Sequence, residues 1–86
     1  MNNKVFQLSP KCSLEFEIIK TPKGRKLRNR FLKEGKPESK WNYVLGHKTI
    51  LPKFNDDYVL NKLTEKLIPK FMATPQVQEV IKLYEQ

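Results

Sequence analysis

At 86 residues with 38% hydrophobic side chains, the chain has room for one small core and no large internal cleft. A domain of this size buries only about 60–65% of the surface that its unfolded form exposes. Five Phe, three Tyr and one Trp separate it from disordered tails, one Cys excludes an intrachain disulfide, one His leaves no Cys/His zinc set, and the net charge is +8.

The N-terminus, Met1 to Gln7, has no apolar run of the roughly 7–15 residues that a signal peptide uses. The longest apolar runs, such as Tyr43-Val44-Leu45 and Phe71-Met72-Ala73, fall far short of the about 20 residues of a membrane span. Together with the unpaired Cys12, this predicts a cytoplasmic protein with no membrane association.

A first short strand is expected at Val5–Leu8, ended by Pro10. The clearest strand follows at Leu14 to Ile19, where Leu14, Phe16 and Ile18 point one way and Glu15 and Glu17 the other. Thr21-Pro22-Lys23-Gly24 is a turn signal. Beyond it, Leu27 and Phe31 alternate with Lys26, Arg28 and Arg30. Pairing Lys20 with Arg25 sets Ile18 against Leu27 and Leu14 against Phe31 on the inner side, with Glu17 facing Arg28 and Glu15 facing Arg30 outside. One register thus satisfies both faces of a hairpin. A helix over residues 25–33 competes, since Leu27 and Phe31 are also four apart, but Gly24 stands where its cap should be.

Glu34 to Ser39 reads as a polar loop. A further strand pair is expected at Trp41–Leu45 and Lys48–Leu51, turning at Gly46-His47. Gly24, Gly35 and Gly46 lie eleven residues apart, and no sequence repeat accompanies them. Such spacing suits turns between short strands.

From Asn55 the period changes from 2 to 3.6. Asn55 is an N-cap, Asp56 and Asp57 suit the first turn, and Phe54 and Val59 occupy staple positions. Val59, Leu60, Leu63 and Leu67 form the apolar stripe of this helix, which Pro69 should end or kink. A second helix opens with Thr74 as N-cap and Pro75 at its first position, burying Val77, Val80, Ile81 and Tyr84. The expected fold is a single α+β domain over 1–86. Residues 1–53 form an antiparallel sheet of about five short strands, open or barrel-like, and 55–86 form two helices.

Little in the chain suggests catalysis. Cys12 and His47 are the lone thiol and imidazole, read here as a half-buried apolar side chain and a turn residue. Glu15 and Glu17 share a strand face, as paired glycosidase carboxylates would, but the arginines opposite keep both ionised. No glycine-rich phosphate loop is present. The expectation is a protein that is not an enzyme, with no cofactor and no metal.

Charge is the informative signal. Lys20, Lys23, Arg25, Lys26, Arg28, Arg30, Lys33, Lys36 and Lys40 stand against only Glu34 and Glu38, so residues 20–40 carry +7 of the chain's +8. A near-neutral body with one basic segment is the footprint of a nucleic-acid binder. Lys20, Lys23, Arg25 and Lys26 should project together from the hairpin tip, whereas Arg28 and Arg30 are discounted as phosphate contacts by their glutamates. A solvated face that discourages edge-to-edge aggregation is the competing account.

Trp41 and Tyr43 alternate as stacking residues on a sheet would. Core packing is nevertheless the expected role of Trp41, as of Phe6, Phe16, Phe31, Phe54, Phe71 and Tyr84. The reading is a small basic accessory or regulatory protein contacting nucleic acid. RNA stands ahead of duplex DNA because no groove-reading helix is evident. The alternative is an inhibitor or accessory subunit docking its basic face on an acidic protein. A monomer or small homo-oligomer is expected.

Overall fold

Alternating side chains and tight turns build the first half of the molecule as a meander of antiparallel strands. The structure is a computed structural model, and it describes residues 3–44, 46 and 48–86. Strand β1 (Asn3–Gln7) pairs with β2 (Cys12–Thr21), which pairs with β3 (Gly24–Lys33). Two short strands, β4 (Lys36–Pro37) and β5 (Asn42–Tyr43), both pair with β3. The sheet is open rather than barrel-like, with β1 on one edge and β4 and β5 on the other.

The β2–β3 register is the one read from the sequence. Leu14 lies opposite Phe31, Ile18 opposite Leu27, Glu17 opposite Arg28, Glu15 opposite Arg30 and Lys20 opposite Arg25. A helix over 25–33 is thereby excluded. The tip closes on itself, with the Thr21 hydroxyl donating to the Gly24 carbonyl at 2.7 Å and accepting from Lys23 N–H at 3.2 Å.

The remaining strands depart from expectation. The first begins at Asn3 rather than Val5 and ends at Gln7. Residues 34–39 are not simply a loop: Glu34 and Gly35, at φ of 52° and 83°, form a two-residue turn between the paired Lys33 and Lys36. Positive φ at both central positions matches the twist of a right-handed hairpin, and Glu is not among the residues that usually announce it. Of the expected strand at 41–45 only Asn42–Tyr43 forms, and Lys48–Leu51 is not a strand. Residues 48–51 instead run along the hairpin tip, where Ile50 N–H donates to the Arg25 carbonyl at 2.8 Å. Leu45 and His47, which belonged to the expected strand and turn, lie outside the described residues.

The first helix runs from Asp56 to Met72 in three consecutive stretches, Asp56–Tyr58, a widened π turn over Val59–Leu63, and Thr64–Met72. Asn55 caps it, its side chain accepting from Tyr58 N–H at 2.7 Å. In the π turn Thr64 N–H reaches back to the Val59 carbonyl, and the Thr64 hydroxyl takes the Leu60 carbonyl left over. Pro69 does not end the helix, which continues to Met72. Ile68 and Phe71 on the flanking turn pack against the core, and that burial holds the last turn despite the hydrogen bond that Pro69 cannot make.

The second helix is Pro75–Glu85. Thr74 stands at its N-cap without capping, because its hydroxyl donates to the Lys70 carbonyl instead. At the far end Glu85 accepts from the Ser9 hydroxyl and from Lys11 N–H (2.7 Å), tying the helix to the β1–β2 turn. These two donors hold its carboxyl below the usual carboxylate range.

Leu14, Phe16, Ile18 and Leu27 from the sheet meet Ile50, Val59 and Leu60 in the core. Phe16 is the centre, edge-on to Phe6 at 5.8 Å and tilted against Phe71 at 6.0 Å. Cys12 is fully buried rather than half-buried, and burial, with the Glu85 charge, pushes its thiol pKa up, away from thiolate chemistry. No helix among the described residues is long and apolar enough to cross a membrane.

Candidate nucleic-acid interface

The nine basic residues singled out in 20–40 do not form one cluster. Strands β2 and β3 are ten residues each, about 33 Å at 3.3 Å per residue. Lys20 and Lys23 therefore lie at one end, and Lys33 and Lys36, flanking the Glu34-Gly35 turn, at the other. Lys40 is exposed in the connection to β5.

At the tip, the expected quartet of Lys20, Lys23, Arg25 and Lys26 is only half available. Lys20 and Lys23 are exposed. Arg25 points to the inner side, where its guanidinium pairs with Asp56 and donates to the carbonyls of Leu51 and Phe54. It clamps the hairpin to the helix start. Lys26 lies on the outer face, its ammonium 5.2 Å from the centre of the Tyr43 ring.

Two lysines missed by the sequence reading take the vacated places. The chain returns to the tip after residue 46, so that Thr49 packs against Gly24, a Cβ there lying 3.4 Å from its methyl group. This brings Lys48, next to Thr49, and Lys53, next to the Phe54 that Arg25 holds, to the same end; both are exposed. No local pattern announces them, since a return of the chain across twenty-odd residues leaves no periodicity to read.

The outer face of the sheet is a second arrangement. Both helices meet the sheet on its inner side, through Leu14, Phe16, Ile18 and Leu27 for the first and through the edge-on Phe31–Tyr84 pair for the second. On the outer side Arg28 Nε donates to Glu17 Oε1 at 2.8 Å and Arg30 Nε to Glu15 Oε1 at 2.7 Å. These are the expected cross-strand pairs.

Trp41 does not join the core. Pairing of Arg28 with Tyr43 continues the register so that Trp41 and Tyr43 share the outer face. The Trp41 ring lies against both guanidiniums, 4.1 Å from that of Arg28 and 4.2 Å from that of Arg30. Tyr43 beside it is 46% exposed. Alternation at 41 and 43 was the available signal, and its sheet-face reading fits where the core reading does not.

Among the described residues no group of three or more His, Cys, Asp or Glu side chains is placed to hold a metal ion. Compared with known proteins, the chain matches no family model, no curated protein and no solved structure.

Proposed function

We propose that the protein is a small non-catalytic binding protein that holds nucleic acid, RNA ahead of DNA, by phosphate contacts at the tip of the β2–β3 hairpin. The observation that supports this reading is the gathering of Lys20, Lys23, Lys48 and Lys53 at one solvated end, where the nearby Asp56 is already occupied by Arg25. Four ammonium groups without an ion pair among the described residues concentrate positive potential there. Arg28 and Arg30 are left out of the phosphate set because each already has a carboxylate partner, Glu17 through Nε and Nη2 of Arg28 and Glu15 through Nε of Arg30, and each lies against the Trp41 ring. RNA is favoured over duplex DNA because both helices spend their apolar faces on the sheet, and neither is offered to a major groove.

Changing Lys20, Lys23, Lys48 and Lys53 together to Ala should weaken binding sharply and leave the melting temperature nearly unchanged, since the four side chains are exposed. Each phosphate contact on a single strand contributes about 0.7 to the slope of log K against log salt. Fluorescence anisotropy with labelled RNA at several salt concentrations should therefore show the slope flattened by about 3 units. If neither RNA nor DNA binds the wild-type chain more tightly than about 100 μM at low salt, the phosphate reading fails. An acidic protein surface then becomes the partner to seek.

A further inference from the structure

We infer that the outer sheet face takes an unpaired segment of the nucleic acid, with a base stacked on the Tyr43 ring and its phosphate met by Lys26; this rests on the nucleic-acid reading above. The sheet leaves this face free of helices, yet places on it two aromatic rings and two guanidinium planes side by side. Tyr43 lies opposite Arg28, Trp41 lies against Arg28 and Arg30, and the Lys26 ammonium lies over one face of the Tyr43 ring, so that the other face is the one a base would take. Rings and guanidinium planes are the two side-chain surfaces on which nucleobases stack.

The roles within this row differ. Trp41 is half-buried and engaged with both arginines, while Tyr43 is 46% exposed and so is the ring offered outward. Glu17 and Glu15 fix the guanidiniums from the sheet side. The arginines are therefore ordered before any ligand arrives, which removes part of the entropy cost of binding. Trp41, Arg28 and Arg30 form the wall of the site, Tyr43 is its platform, and Lys26 supplies the charge that the paired arginines cannot.

An unpaired strand fits this geometry where a duplex does not. Bases in a duplex hide their faces in the stack and present only edges and backbone, so an exposed ring on a sheet gains nothing from them. Lys23 lies in the turn just before β3, whose first residue Gly24 is four residues from Arg28, about 13 Å at 3.3 Å per residue, so one strand can run from the platform to the tip lysines.

Trp41 is the chain's one tryptophan, and its emission reports on this face directly. Oligoadenylate, an adenylate–uridylate duplex and heparin are titrated against the wild-type protein, Tyr43→Ala and Tyr43→Phe. Oligoadenylate should quench Trp41, and heparin, which has charge but no bases, should bind without quenching it. Tyr43→Ala should weaken oligoadenylate binding about ten-fold or more with an unchanged salt slope, and leave duplex and heparin affinity alone. Tyr43→Phe should bind as the wild type does.

Unchanged oligoadenylate affinity in Tyr43→Ala, or an equal loss for all three ligands, overturns the stacking site and leaves the phosphate reading standing. Failure of the wild type to bind any of the three overturns both. Should circular dichroism show Tyr43→Ala unfolded, the wild-type quenching decides. Quenching by oligoadenylate and not by heparin supports the platform, and equal or absent quenching removes it.

Discussion

The inner and outer faces of the β2–β3 hairpin are made from alternate residues of the same two strands, and they do different work. Inside, Leu14, Phe16, Ile18 and Leu27 are almost wholly shut from solvent. Outside, the Glu17–Arg28 and Glu15–Arg30 pairs keep between 11% and 29% of each side chain exposed. A slip of one residue would exchange the two faces, so both specify the same register. They do so with unequal energy. Burial of an aromatic or branched side chain contributes about 1.5–3 kcal/mol, whereas a partly exposed ion pair contributes about 0–1 kcal/mol. The inner face holds the sheet together, and that leaves the outer face able to spend its side chains on a ligand.

The largest effect should come from the inner face. Phe16 is fully buried and touches Phe6 and Phe71, so Phe16→Ala removes the ring that joins β1, β2 and the first helix. A loss of about 3–5 kcal/mol is expected, read from the urea midpoint. For a domain whose total stability is of the order of 5–15 kcal/mol, that is a large share. A loss under about 1 kcal/mol would show that the core closes around the cavity, and the contrast between the faces would weaken.

Arg25 tests the boundary between faces. It was grouped with the tip lysines by sequence and belongs to the fold by geometry, reaching Asp56 and two carbonyls. Arg25→Met keeps much of its apolar stem and removes those bonds. Charge-assisted hydrogen bonds contribute about 1.5–3 kcal/mol when shielded; with a fifth to a third of each side chain exposed, about 1–2 kcal/mol is expected here. Trypsin should then cut faster after Lys48 and Lys53, whose segment loses its tether. RNA affinity of the folded fraction should change little. A loss of RNA binding at unchanged stability would return Arg25 to the phosphate set.

How far the sequence could be read follows the same division. The hairpin was legible because apolar alternation and charge pairing gave one answer for residues 14–31. The helix start at Asn55 was legible because a cap, two acidic residues and an apolar stripe coincide. Residues 34–53 were not. Their turn uses Glu34 at positive φ, their strands are two residues long, and their place is fixed by bonds to Arg25 and Leu27 far away in sequence. That blind region decides the candidate site, because it delivers Lys48 and Lys53 to the tip and carries Trp41 to the outer face. Charge counting singled out the hairpin. It could not tell which basic groups were already engaged.

The smallest effect should lie in the Glu17–Arg28 pair, and it sharpens the comparison most. Both side chains are more than a quarter exposed, so water screens their attraction and part of the gain is spent on ordering two long side chains. A double-mutant cycle of Glu17→Gln and Arg28→Met should return a coupling of about 0.2–1 kcal/mol. Raising the salt concentration should shrink it further, whereas the cost of Phe16→Ala should hold. Removing Arg28 also strips the Trp41 ring of one of its two guanidinium neighbours, a contact of about 0.5–1 kcal/mol at a partly exposed site. That second loss appears in the Arg28 single variant and cancels from the coupling, so the cycle separates the pair from the stack. If Trp41 emission shifts in Arg28→Met and stays put in Glu17→Gln, the ring is held by the guanidinium itself. A shift of equal size in both would mean that the carboxylate fixes the arginine against the ring, and the outer face would then be one connected unit.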